Sequence, residues 1–125
     1  MKMNVFILLA AVFFGGLTLS AQTITDHENG KYSLSVGQVT LTVDASKGGK
    51  IISYRYDDKE ILSQTKIPNS FGSTFWTSPQ SEWNWPPVPE YDTKPFNAEV
   101  AGDKLILTGE KSKRFGYRVR KELTT

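Results

Sequence analysis

The stretch that decides the fold is VTLTVDASKGGKIISYRYDDKEIL, which occupies residues 39–62. In its first part, Val39, Leu41 and Val43 lie on one face of an extended chain, and the threonines between them lie on the other. This period of two is typical of a β-strand with one buried face. The glycine pair in SKGGK supplies a tight reversal, so the stretch predicts two antiparallel strands joined by a short turn.

Alternation of the same kind extends to both sides of this stretch. In KIISYRY it predicts that Ile52, Tyr54 and Tyr56 share one face. In GYRVRKELT it predicts that Tyr117 and Val119 share one face, and the same spacing extends to Lys121. Short strands separated by glycine and aspartate turns indicate an all-β fold, an antiparallel β-sandwich. The remaining strand-like segments are YSLSV, KEILS, FNAEVAG and DKLILTG.

The N-terminus has the pattern of a secretory signal peptide. Lys2 precedes the apolar run VFILLAAVFFGGL, which is shorter than the ~20 residues of a membrane span, and small residues follow. We expect cleavage after Ala21, although a retained N-terminal anchor is the alternative. The predicted domains are a signal peptide at 1–21, a flexible segment at 22–30 and the sandwich at 31–125. Because the chain has no cysteine for a lipid anchor or disulfides, a periplasmic or secreted bacterial protein is expected.

The charge and side-chain inventory argues against several classes of function. The formal net charge is only +2, and the one basic run, KSKR, lies between strand-like segments, so neither nucleic acid nor a membrane is expected as a partner after signal cleavage. His27 is the only histidine and sits in a polar segment, and Asp57 and Asp58 are neighbours that point to opposite sides. The sequence therefore predicts no catalytic residue, no metal and no cofactor.

The richest chemistry lies in FGSTFWTSPQSEWNWPP, residues 71–87, which holds all three tryptophans. In an extended chain Trp83 and Trp85 would face the same way, and Trp76 would join them across a turn. Indole planes match the C–H face of a sugar, polar side chains match its hydroxyls, and prolines stiffen the loop. The alternative is a plug of buried aromatics. The candidate carbohydrate-binding residues are Trp76, Gln80, Glu82, Trp83, Trp85 and, from a flanking strand, Arg55.

The order of these parts resembles a known family. VTLTVDASKGGKIISYRYDDKEIL, NSFGSTFWTSPQSEWNWPP, AEVAGDKLILTG and GYRVRKEL together resemble the N-terminal part of the galactose-mutarotase-like (aldose 1-epimerase-like) β-supersandwich group. Within the group, the likeness is to an uncharacterised bacterial family with the signature STFWxSPQSxWxWPP. The resemblance covers about residues 39–123.

The resemblance implies a carbohydrate ligand and a large antiparallel supersandwich, of which this chain would be a fragment. Mutarotases use a histidine acid and a glutamate base, and the resemblance places both beyond the positions that match here. His27 and Glu82 do not take their places, because His27 precedes the matching region and Glu82 belongs to another motif. Three functions stay open: a sugar-binding or sugar-processing protein, a structural or interaction domain with buried tryptophans, and an aldose 1-epimerase.

Overall fold

A computed structural model of the protein describes residues 22–65, 67 and 71–125. The predicted signal peptide lies outside the described residues. Within them the chain forms eight β-strands, a 3₁₀ turn at Gln80–Glu82 and one short helix. The bounds are β1 Gln22–Asp26, β2 Lys31–Val36, β3 Val39–Asp44, β4 Lys50–Tyr56, β5 Lys59–Glu60, α1 Pro89–Asp92, β6 Asn97–Ala101, β7 Lys104–Thr108 and β8 Arg120–Thr124.

The strands form two antiparallel sheets, which confirms the all-β prediction. The first sheet has the order β1-β2-β3-β4-β5 and the second has the order β6-β7-β8, so each sheet follows the chain from strand to strand. Two-residue turns at 37–38, 57–58 and 102–103 join hairpins whose flanking residues are paired. The turn residues read from the sequence therefore stand where hairpin geometry needs them.

One hydrophobic core joins the two sheets. Leu34 and Val43 come from the first sheet, and Leu105 and Leu107 come from β7 in the second; all four are buried. Val119, just before β8, completes the buried set on the second sheet. Burying an aliphatic side chain of this size contributes roughly 1.5–3 kcal/mol, so this shared core is what holds the sheets together.

Strand β4 departs from the alternation that the sequence predicts. Its pairing with β3 steps from Thr42–Ser53 to Val43–Ile51, which leaves Ile52 as the extra residue of a β-bulge. Because paired residues share a face, Ile51 joins Val43 and packs against the core. The predicted grouping of Ile52 with Tyr54 and Tyr56 is thus broken at the bulge.

Both ends of the described chain differ in detail from expectation. The segment 22–30, which the sequence predicts to be flexible, contains strand β1. All five residues of β1 pair with residues of β2. At the other end, β8 begins only at Arg120. Lys121 pairs with Leu107 in the register, so it lies on the core side of β8, as the alternation predicts.

The turn between β3 and β4 lies directly against the backbone of α1. A Cβ atom added to Gly48 would stand 2.0 Å from the carbonyl oxygen of Asp92. Gly48 also has a φ of +68°, in the left-handed region. Its N–H donates a 2.9 Å hydrogen bond to the carbonyl of Lys94. Only glycine satisfies both the backbone conformation and the space, so the first sheet and α1 meet through this residue.

We expect Gly48→Ala to lower the free energy of unfolding by at least about 3 kcal/mol, because the overlap with Asp92 adds to the strain of a positive φ. Gly102→Ala is the matched control, since Gly102 has a φ of +63° and no atom within 4 Å of an added Cβ. It should lose only about 1–2 kcal/mol. Equal losses in urea-induced unfolding would show that the contact with α1 does not constrain the fold.

Candidate functional site

The three tryptophans form one cluster on the loop between the sheets. The Trp76 ring lies 5.9 Å from that of Trp83 and 5.8 Å from that of Trp85, and the second contact is edge-to-face. Their exposures differ sharply: Trp85 is 66% exposed, Trp76 is 48% exposed and Trp83 is 4% exposed. The cluster therefore combines one buried indole with two that present surface to solvent.

The predicted common orientation of Trp83 and Trp85 is wrong. That prediction assumes extended chain, whereas Trp83 follows the 3₁₀ turn and Asn84 has a φ of +57°, which reverses the backbone between the two tryptophans. Asparagine tolerates this left-handed conformation better than most residues. As a result, the two indoles reach Trp76 from different sides, one from the core and one from the surface.

Two polar contacts hold the buried tryptophan in place. The Trp83 indole N–H donates a 2.9 Å hydrogen bond to the carbonyl of Thr77. Arg114 donates to the carbonyls of Glu82, at 2.5 Å, and Trp83, at 3.4 Å. The Arg114 guanidinium also lies 5.0 Å from the ring centre of Phe115. The buried member of the cluster is thus tied to a second loop, which stiffens the support of the exposed pair.

The predicted polar partners of the tryptophans divide into two groups. Gln80 and Glu82 lie in the 3₁₀ turn, both exposed and within three residues of Trp83. Arg55 belongs instead to the β4–β5 hairpin, where its guanidinium donates to the carbonyl of Asp58 and lies 3.6 Å from the Asp58 carboxylate. Its described contacts are those of a hairpin residue.

A buried ion pair lies beneath the β3–β4 turn. Lys50 Nζ is 2.9 Å from an Asp92 carboxylate oxygen, and both side chains are buried. Removing one partner of such a pair leaves an uncompensated charge in the interior, which costs several kcal/mol. The pair therefore attaches the first residue of β4 to the last residue of α1.

Lys121 approaches the same turn from the second sheet. Its Nζ donates to the carbonyl of Gly48 at 2.7 Å and lies 5.0 Å from the ring centre of Phe96 and 5.6 Å from that of Phe75. Burial lowers the pKa of Lys121; the Asp92 carboxylate opposes this, and the Lys50 charge adds to it. An ammonium in this position is stabilised by carbonyl and aromatic contacts rather than by water.

Comparison of the chain with known protein families, curated proteins and solved structures finds no match. Among the described residues, none of the helical segments has the length and apolar character needed to cross a bilayer.

Sequence reasoning missed two parts of this arrangement. It used KSKR only to argue against nucleic acid and membrane partners, whereas Arg114 in that run anchors the tryptophan loop. It also gave no role to Lys50, Asp92 or Lys121, whose association depends on residues up to 73 positions apart, as in the Lys121–Gly48 contact. For the contacts of Lys50, Asp92 and Lys121, the sequence offered one signal, which was a lysine, Lys121, at a core-facing position of a predicted strand.

Acrylamide quenching should distinguish the three indoles. We expect Trp76 and Trp85 to be quenched and Trp83 to be shielded, because only the first two expose much of their surface. Removing the exposed indoles with Trp76→Phe and Trp85→Phe should therefore lower the quenchable fraction and blue-shift the remaining emission. A single unquenchable emission in the unsubstituted protein would contradict the exposures described here.

The depressed pKa of Lys121 predicts a pH dependence of stability. Its folded-state pKa lies below the ordinary value of 10.5, so between the two pKa values the unfolded state binds more protons. The contribution of Lys121 to the free energy of unfolding should therefore rise with pH through that interval. Lys121→Met, which keeps an unbranched apolar stem, is the reference: the stability of the unsubstituted protein relative to this variant should increase up to about pH 10.5. A constant or shrinking difference would contradict this prediction.

Proposed function

We propose that this protein binds carbohydrate through the tryptophan cluster, with Trp76 and Trp85 as the contact surface. The observation that carries the proposal is the pair of exposed indoles in edge-to-face contact at 5.8 Å. Large apolar side chains left at the surface mark binding sites when they are grouped. An indole face suits the C–H face of a sugar ring, and its rim supplies a polar N–H.

The support behind the exposed pair favours a binding role. Trp83 is buried against Trp76 and is held through its N–H and its carbonyl, so the surface is fixed before a ligand arrives. A surface ordered in advance loses less conformational entropy on binding. Gln80 and Glu82 are exposed nearby along the chain and offer an amide and a carboxylate for sugar hydroxyls.

The alternative function is a structural or interaction domain in which the tryptophans only pack the loop. The burial of Trp83 favours a packing role for Trp83 itself. It does not account for the 66% exposure of Trp85, since an indole that serves packing alone gains most when it is covered. Carbohydrate binding is therefore the function we put forward for the pair.

Two wider parts of the proposal rest on the sequence. We propose that the two described sheets are the N-terminal part of a supersandwich of the galactose-mutarotase-like kind, which the antiparallel arrangement supports. We also propose that the protein is exported to the periplasm or secreted, on the strength of the N-terminal pattern. The proposed activity is binding; an epimerase reaction would require an acid and a base that the matching positions do not supply.

Calorimetric titration of the full chain with a panel of neutral mono- and oligosaccharides should find a ligand. Trp85→Ala and Trp76→Ala should each weaken its binding at least about tenfold, as expected for aromatic anchors. Trp85→Ala should change the free energy of unfolding by less than about 1 kcal/mol, because the side chain is mostly exposed. Lost affinity would then not reflect lost folding.

Tyr56→Ala is the matched control, because Tyr56 is an exposed aromatic on β4, outside the tryptophan cluster. It should leave sugar affinity unchanged. The proposal fails if no sugar in the panel releases or absorbs heat, or if Tyr56→Ala weakens binding as much as Trp85→Ala does.

A further inference from the structure

A separate cleft opens at one end of the first sheet. Its volume is about 510 Å³, within the ~300–1,000 Å³ typical of small-molecule sites. Three lysines dominate its charged lining, one aspartate accompanies them, and two apolar side chains complete one wall. These lining residues are Lys31, Lys47, Lys50, Asp44, Ile52 and Phe71.

The strand register explains why charged residues meet here. Asp44 pairs with Lys31 on one side and with Lys50 on the other, which places the three residues in one row across β2, β3 and β4. The neighbouring row contains Val43 and Ile51, which face the core. Because successive residues of a strand point to opposite faces, the charged row lies on the face opposite to Val43 and Ile51, where Asp44 and Lys50 are buried and Lys31 is half-buried.

The negative charges of this region are already engaged. The Asp44 carboxylate accepts hydrogen bonds from the Ser46 N–H at 3.0 Å and the Ser46 hydroxyl at 2.5 Å. Asp92 is paired with Lys50. Among the residues that the structure describes, Lys31 and Lys47 form no salt bridge. Three lysines therefore face the carboxylates of Asp44 and Asp92, so the region keeps a net positive charge, and Lys31 and Lys47 are the ammonium groups outside the Lys50–Asp92 pair.

The β-bulge adds the apolar wall. Ile52 is the residue left over by the bulge, so it lies apart from the core row occupied by Ile51 and lines the cleft. Phe71 lines the same cleft from the following loop. A site with ammonium groups on one side and apolar side chains on the other suits a small ligand that carries an oxyanion on an apolar or ring-shaped body.

We propose that this cleft is a binding site for a small oxyanion-bearing ligand, either a carboxylate such as a sugar acid or a phosphate ester, held by Lys31 and Lys47. Ile52 and Phe71 contact the body of the ligand, and Asp44, which is hydrogen-bonded to Ser46, lies between Lys31 and Lys50. The site uses none of the tryptophans, so it stands independently of the carbohydrate-binding surface.

Calorimetric titration of the full chain at low ionic strength tests the site with three probes: glucuronate, inorganic phosphate and glucose. Glucuronate or phosphate should bind with heat that depends on Lys31 and Lys47, and any heat from glucose, the neutral counterpart of glucuronate, should not depend on them. Binding should weaken as salt is added, since exposed ammonium groups are screened. If only glucuronate binds, the oxyanion of the ligand is a carboxylate. If only phosphate binds, the oxyanion is a phosphate.

The double variant Lys31→Gln/Lys47→Gln should weaken anion binding at least about tenfold, because charge-assisted hydrogen bonds are lost. Lys59→Gln is the matched control, as Lys59 is an exposed lysine on β5 outside the lining, and it should leave binding unchanged. Trp85→Ala should also leave anion binding intact, which separates this test from that of the tryptophan surface. The proposal is overturned if neither anion binds, or if Lys59→Gln weakens binding as much as the double variant.

Discussion

The β3–β4 turn lies so close to the backbone of α1 that no side chain fits between them, and the described structure is organised around that contact. Gly48 touches α1, and the Phe96 N–H donates a 2.8 Å hydrogen bond to the carbonyl of Ala45 on the same turn. Lys121 reaches the turn from the second sheet. One short turn is therefore in contact with the first sheet, the connecting loop and the second sheet at once.

This convergence also links the turn to the tryptophan surface. The Phe75 ring lies 5.6 Å from Lys121 Nζ, and the next residue, Trp76, is the centre of the tryptophan cluster. At its other end, the cluster is held by Arg114, which precedes β8. The tryptophan surface is therefore fixed between Lys121, which contacts the β3–β4 turn, and Arg114, in the loop before β8. A loop of this length would otherwise be costly to order.

The sequence predicted what local patterns determine. Alternation identified the strands from β2 to β8, and glycine and aspartate residues located their turns, but β1 was assigned to a flexible segment. The sequence did not predict the bulge at Ile52. The pattern in KIISYRY allows either set of alternate residues to face the core, and the register of β4 is set by its pairing with β3. Nor could it separate the exposure of Trp83 from that of Trp85, which follows from a reversal at Asn84. Contacts such as Lys50 with Asp92 join distant parts of the chain, so no short window contains both partners.

The bulge in β4 also has a consequence for how the chain can change over evolutionary time. Deleting one residue from a strand normally inverts the faces of everything beyond it. Here the loss of Ile52 would restore uninterrupted pairing between Val43–Ile51 and Thr42–Ser53 and leave both faces as they are. Strand β4 can therefore shorten by one residue at this position without disturbing the core. In an alignment of homologous chains, a single-residue gap would be expected opposite Ile52, and chains that carry it would lack one of the two apolar side chains, Ile52 and Phe71, that line the cleft beside Lys31 and Lys47.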